Sequence, residues 1–485
     1  MSRGAEFVIV LLVLGGQSTV WLEVSTMTST PGNASTEPFL DDLEALTRDL
    51  MTEHRVPGLA LGLLRDDRPH VLCLGVTSVE HPLQVDEHTL FQIGSLTKTF
   101  TATAILRLVE QGRLDLDTPL RTYLPELRLK DESVAARVTL RHLLTHVAGW
   151  IGDFFEDTGN GDDALARYVD RMVTLEQITP LGEVWSYNNA AFCLAGRVLE
   201  VTTGQTYEQA VRTSLLRPLE MNESFFFPAE VMTRRFVVGH VKRDGDVRVA
   251  RPWPIPRSNH PAGGLASSVT DLLKYARFQL GDGRSEAGER VLASETLRAM
   301  QHPESRAHLD WMMGLGWMFP KVGEERVIQH SGETNGQVSE FWVAPERGLA
   351  FALLTNAASG GALAQKVSEW VQQQLLGADP AVPEGRVVAD EDLEAFAGAY
   401  DKLDDGASLD LAVQEGALVA RFQPGVSFTG ERVEAPPAST LQSCGDDRFV
   451  GVDGPGHGQV IEFLRDATGS VQYLRAGRVF VRRPS

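Results

Sequence analysis

Phe91-Gln92-Ile93-Gly94-Ser95-Leu96-Thr97-Lys98-Thr99-Phe100 opens an apolar run at helical spacing that continues to residue 111 and stops at Gly112. Gly94 directly before Ser95 places the serine at the helix start, where backbone N–H groups lack partners within the helix. Positions i and i+3 share one helix face, about 5–6 Å apart between Cβ atoms, so Lys98 sits one turn from Ser95. A serine hydroxyl is a weak nucleophile until a base takes its proton. A lysine can be that base only if burial or a nearby cation lowers its pKa. The N–H of Ser95 would also form half of an oxyanion hole. The pair alone is weak evidence: with 27 serines and seven lysines in 485 residues, chance placement gives about 0.4 such matches, and an exposed helix face accounts for it equally well.

Two further segments carry the side chains such a pair requires. Tyr187-Asn188-Asn189 lies in a turn-rich loop that starts at Pro180 and runs into a helical pattern. A phenol beside a lysine can relay a proton, and the Asn189 amide can hold a substrate carbonyl. Of seven tyrosines, Tyr187 alone has Asn two residues on; a helix-capping Asn pair is the plainer alternative. His330-Ser331-Gly332 is followed by Glu333 and a strand-like run. Gly332 would let a strand backbone approach the substrate closely, and the Glu333 N–H would complete the oxyanion hole. Taken singly, His330 reads as a core or strand-end histidine. His142, His146, His240 and His260 have no carboxylate or cysteine at metal-ligand spacing and read as structural. Asp115, Asp117, Asp162 and Asp163 read as turn and cap residues.

Around these segments the pattern divides the chain into four parts. Residues 1–37 read as a leader or signal segment. Residues 38–376 carry a helix at 38–53, a hairpin at 59–76 split by Arg65-Asp66-Asp67-Arg68, helices from 139 to 216, a capping-box signature at Ser268-Val269-Thr270-Asp271, two or three strands between 332 and 355, and a closing helix at 364–376. That order predicts one sheet built from both ends of the segment with helices between. Residues 377–390 read as a linker. Residues 391–485 alternate apolar and polar positions around Glu415-Gly416 and Ala476-Gly477 turns, the pattern of a small all-β barrel or sandwich.

The formal net charge of −20 and pI near 5.1 predict repulsion from nucleic acid and anionic membranes. Neither is expected as a main partner; the serine–lysine chemistry above calls for a small-molecule or peptide substrate, and no oligomeric state is specified. The three cysteines (Cys73, Cys193 and Cys444) are widely spaced and predict neither a disulfide framework nor a zinc site. No metal is called for. The apolar run at 7–14 is too short to span a bilayer but long enough for a signal core, although one Arg and one Glu precede it. Two readings stand: export through a weak signal, or a cytoplasmic protein that starts at Met27. No other segment is suited to stable membrane insertion.

The order Ser95-x-x-Lys98, Tyr187-x-Asn189, His330-x-Gly332 resembles the three-motif series of the serine β-lactamase and penicillin-binding-protein superfamily. Val138-Thr-Leu-Arg-His-Leu-Leu-Thr-His-Val-Ala-Gly149, Pro261-Ala-Gly-Gly-Leu-Ala-Ser-Ser268 and Pro345-Glu-Arg-Gly-Leu-Ala-Phe351 are similar to other segments of its class C-like, peptidase S12-type branch. The resemblance runs from about residue 56 to 376. It implies an α+β fold, with an antiparallel sheet flanked by helices plus an all-helical subdomain and Ser95 between them. It also implies a serine hydrolase that needs no cofactor and acts on amide or ester bonds. In this reading Ser95, Lys98 and Tyr187 are catalytic, while Asn189, His330, Gly332 and Glu333 serve substrate and oxyanion. The β-rich tail is loosely similar to a lipocalin-like domain. His330 departs from the pattern, because lactamases and transpeptidases of the superfamily usually carry Lys there. A histidine is mostly neutral at pH 7, which favours a D-amino-acid peptidase or esterase over a β-lactamase, and the intact motif series speaks against a non-catalytic penicillin-recognising protein.

Overall fold

The apolar stretches flanking Arg65-Asp66-Asp67-Arg68 form the expected hairpin, Gly58–Arg65 against Arg68–Gly75. Asp66 and Asp67 at its tip take positive φ (52° and 60°), the geometry that matches a tight hairpin to strand twist. Gly58–Arg65 pairs on its other side with Leu349–Thr355, which pairs with Gln337–Ala344. The sheet continues through Ile328–Gln329, Met318–Phe319, Met312–Met313 and Ser305–Arg306, and Gly332–Thr334 folds back on Gln337–Ala344. Every pairing is antiparallel. The first and last strands of the α+β segment thus sit side by side within the sheet, one strand in from its edge. Leu349–Thr355 is buried at all seven positions, because helix Val269–Leu280 lies on one face and helix Gly360–Leu376 on the other. Burial on both faces explains why that strand is a continuous apolar run without alternation.

This computed structural model describes residues 37–243, 245–378, 383–425, 435–445 and 447–484. The leader and the apolar run at 7–14 lie outside the described residues. Residues from Leu43 onward form one compact unit. Among the described residues, no helix is long and apolar enough to cross a membrane.

Helix Thr97–Glu110 runs between the sheet and a helical half built mainly from Leu140–Leu144, Ala164–Arg171, Asn189–Thr203 and Tyr207–Val211. Phe100 stacks on Tyr275 (4.1 Å between ring centroids), and Tyr275 continues to Trp317 and Phe341, tying this helix to the sheet through aromatic contacts. Each such pair contributes about 0.5–1.5 kcal/mol beyond its buried area.

Three local expectations shift. The helix predicted from residue 95 begins as a 3-10 turn, Gly94–Leu96, because Gly94 takes φ +51° and only from Thr97 does the α pattern hold. The closing helix starts at Gly360 rather than 364. Ser268 caps its helix by accepting the Asp271 N–H, but the reciprocal half of the capping box is missing. The Asp271 carboxylate turns instead to the Glu223 N–H (2.7 Å), the Ser224 hydroxyl and Lys274.

After residue 390, eight antiparallel strands from Gly398–Asp401 to Arg478–Arg482 follow one another in sequence order and close into a barrel, and Arg386 and Val388 from the stretch read as a linker already pair with it. Phe396, Tyr400, Phe449, Phe463 and Phe480 fill its interior, with Phe396 and Phe463 only 4.8 Å apart. The barrel is packed by side chains, as expected for this strand number. Its last hairpin, Val471–Ala476 and Arg478–Arg482 with Gly477 between them (φ +71°), faces the α+β segment. There the Gly477 carbonyl accepts the Tyr187 N–H at 3.1 Å, and the Val479 N–H donates to the Ser186 hydroxyl at 3.2 Å.

Candidate active site

Ser95 is half-buried in the 3-10 turn, and Lys98 is fully buried one turn later. Lys98 Nζ donates to Ser95 Oγ at 3.0 Å and to the Ala262 carbonyl at 2.6 Å. Among the described residues, no carboxylate pairs with it directly. Burial pulls Lys98 down from the ordinary lysine value of 10.5 to about 7, with the nearby Arg478 cation acting in the same direction. The lysine is therefore poised between amine and ammonium near neutral pH.

The Tyr187 ring lies beside this pair, 4.8 Å from Lys98 Nζ to its centroid. Its hydroxyl is buried facing Ser95, and among the described residues it completes no hydrogen bond of normal geometry. Burial pushes the phenol above its ordinary range, opposed by Ser95 and Arg478. Asn188 caps helix Asn189–Thr203 by accepting the Ala191 N–H (2.8 Å), so the capping alternative holds for that residue. Asn189, the first helical residue, instead turns its amide to Asp153 Oδ1 at 2.7 Å.

His330 is buried with its ring 6.1 Å from that of Tyr187. Its Nδ1 lies 2.6 Å from the Ser331 carbonyl and so carries the proton, which leaves Nε2 a buried acceptor without a partner among the described residues. Burial and then Lys98 hold this imidazole near 3, far below an ordinary histidine. His330 is neutral at working pH.

Gly332 is required by space. A Cβ there would lie 1.9 Å from the Ile93 carbonyl oxygen and 2.8 Å from Ser95 N. Thr334 and Gln337 close the two-residue Asn335-Gly336 turn of this hairpin. Antiparallel pairs alternate between bonded and non-bonded, so Gly332 and Thr334 bond to the neighbouring strand while Glu333 points its N–H outward, toward Gly94. A Cβ on Gly94 would lie 2.7 Å from Glu333 N. The backbones of Ser95 and Glu333 thus meet across two glycines.

Six of the seven residues singled out from the sequence lie together here, and Asn189 is joined to them through Asp153 and Arg478. The site also contains groups that sequence reasoning missed. Arg478, at the tip of the barrel hairpin, donates to both oxygens of Asp153 (2.8 Å to Oδ1) and lies 4.8 Å from the Tyr187 ring centroid. Lys402, also from the barrel, reaches Asp153 at 3.1 Å, and the Asp153 N–H donates to Asp404 Oδ2 at 3.2 Å. Burial alone would raise Asp153, but Arg478 and Lys402 hold its carboxyl at about 2. Asp153 thus joins Asn189 to two barrel cations. Arg478 and Asp153 are 325 positions apart, and neither lies in a motif. The Ala476-Gly477 signal marked only a turn.

A family model described as Beta-lactamase matches residues 43–376. Penicillin-binding protein 4 of Amycolatopsis lactamdurans is 34% identical over 366 residues, 73% of this chain and 95% of that protein. The crystal structure of SurE superposes with a TM-score of 0.73 at 27% identity, covering 93% of this chain and all of that one, and SurE has also been solved with D-Leu. The octameric penicillin-binding protein homologue from Pyrococcus abyssi superposes at 0.62 with 25% identity, covering 92% of this chain and all of that one.

Proposed function

The chain belongs to the β-lactamase family of serine hydrolases, which it shares with penicillin-binding proteins, and from that premise we propose that it cleaves amide or ester bonds through an acyl-enzyme on Ser95. The observation that carries this reading is the buried Lys98 amine, 3.0 Å from Ser95 Oγ and pulled down to about 7. In its neutral form it takes the Ser95 proton as Oγ attacks the carbonyl. The Tyr187 phenol, held in its protonated form by burial, hands a proton to the leaving group. The N–H groups of Ser95 and Glu333 receive the developing oxyanion. Gly332 permits their approach, and Asn189 and His330 Nε2 orient the substrate. Water then attacks the acyl-enzyme with the proton path reversed.

The proposed substrates are peptides containing D-amino acids, or small amides and esters. His330 offers a neutral acceptor where a lactamase would place an ammonium, and the structural neighbour SurE has been solved with D-Leu. Arg478 supplies a permanent cation from the barrel instead. A panel of D- and L-amino-acid amides, p-nitrophenyl esters and nitrocefin tests this. Turnover of D-amides or esters well above nitrocefin is expected. Fastest turnover of nitrocefin would make the protein a β-lactamase, and one equivalent of label without turnover would make it an acylating binder.

A further inference from the structure

His146 stands directly behind Tyr187. It follows helix Leu140–Leu144 in a left-handed conformation (φ +59°), which few non-glycine residues adopt and which persists only where the surroundings hold it. The residue is fully buried. Its carbonyl accepts the Ser186 N–H at 3.0 Å, and its Nδ1 accepts the Asn188 N–H at 2.9 Å. Between those two ties its ring stacks on Tyr187, 4.4 Å between centroids at 29°. One residue therefore grips three consecutive positions, Ser186, Tyr187 and Asn188, two of them in the second motif. The same segment is also held by the barrel hairpin through Gly477 and Val479.

Packing alone does not require an imidazole here. A phenyl ring would fill the space among Tyr187, Phe192 and Trp185 and would avoid burying Nε2, which has no hydrogen-bond partner. What an imidazole adds is the Nδ1 acceptor for the Asn188 N–H. Burial, then Lys98, His330 and Arg478, keep the ring well below an ordinary histidine, so it stays neutral and Nδ1 stays an acceptor.

We propose that His146 is the positioning residue for Tyr187, fixing the phenol beside Lys98 and Ser95 by a stack on its ring and hydrogen bonds to the residues on either side. The proposal rests on the proton-transfer role given to Tyr187 above. A displacement of about an ångström in a reacting group costs up to about 100-fold in rate, so small losses of grip are measurable.

The test uses the full chain and three substitutions. His146→Asn keeps an acceptor and tolerates positive φ but removes the stack, His146→Phe keeps the stack but removes the acceptor, and His146→Ala removes both. Endpoint titration with a fluorophosphonate counts competent sites, and the acylation rate constant is expressed per titrated site. His146→Ala is expected to lose about tenfold or more per site, with Asn and Phe between it and the parent. Loss of rate through ionisation of the buried Tyr187 phenol, which burial places above the range where the parent's rate is level, defines an alkaline limb that should move to lower pH in the Ala variant as the phenol gains solvent. A purely structural role would lower thermal stability and the titratable fraction while leaving the rate per site and the limb unmoved. That result, with Asn and Phe within twofold of the parent, overturns the proposal. If Ala fails to fold, the Asn and Phe variants decide it. Ser95→Ala run alongside separates the two claims: labelling retained there defeats the acyl-enzyme reading itself.

Discussion

Lys98 determines the pH at which this site works. A lysine at its ordinary value of 10.5 would be neutral in about one molecule in 3,000 at pH 7; pulled down to about 7, it is neutral in about half. Acylation should therefore rise about tenfold per pH unit below 7 and level off above 8. Stopped-flow acylation by a p-nitrophenyl ester between pH 5 and 9.5 reads this limb. The histidines cannot imitate it, since His330 is held near 3 and His146 well below its ordinary value, so His330→Asn should keep the midpoint near 7 even as its rate falls. The same shift has a stability signature. Lowering the folded value from 10.5 to about 7 costs about 5 kcal/mol when the lysine is charged. The cost is fully present below about 7, where folded and unfolded chains both bind the proton. It is relieved as pH rises toward 10.5, where only the unfolded chain would hold it. Urea melts of the parent and Lys98→Met should show the variant's relative advantage shrinking by about 3 kcal/mol between pH 7 and 9.5. A midpoint near 10, a flat rate profile, or a stability difference independent of pH would refute the reasoning.

Gly332→Ala should cut acylation about 100-fold or more. Its Cβ would sit 1.9 Å from the Ile93 carbonyl oxygen, where ordinary contact begins near 3.4 Å, forcing the strand about 1.5 Å away from that carbonyl and so out of register with Ser95; single-turnover rates within threefold of the parent would contradict this. Arg478→Met leaves Asp153 buried with Lys402 as its remaining barrel cation and should cost about 2–4 kcal/mol in urea melts. It should also lower kcat/KM, and unchanged stability would show that the Arg478–Asp153 pair carries no load between barrel and site.

The sequence announced what is local. The spacing from Ser95 to Lys98 placed both on one turn, the apolar alternation around Arg65-Asp66-Asp67-Arg68 made a hairpin, and Gly332 marked the close approach of a strand. The repeated alternation after residue 391 foretold an all-β unit. Missing were the contacts that close over long separations. Asp153 follows a loop glycine with no motif around it, and Arg478 reads as one more polar residue after a hairpin turn. Their pairing depends on how the barrel docks, which no periodicity encodes. His146 read as structural for a similar reason: its relation to Tyr187, 41 positions on, exists only once Ala148–Trp150 and the Pro180 loop have folded together. The capping-box reading at Ser268 failed locally because Asp271 found stronger partners in Glu223 and Ser224.

The most direct measurement of the central claim is intact-protein mass spectrometry after exposure to a fluorophosphonate and to a penicillin, on the parent chain and on Ser95→Ala. The parent should gain a single adduct whose peptide map places it on Ser95, and Ser95→Ala should gain none while its circular dichroism and melting stay those of a folded protein. An adduct of equal yield on Ser95→Ala, or an adduct on the parent mapping to another residue, would contradict the account.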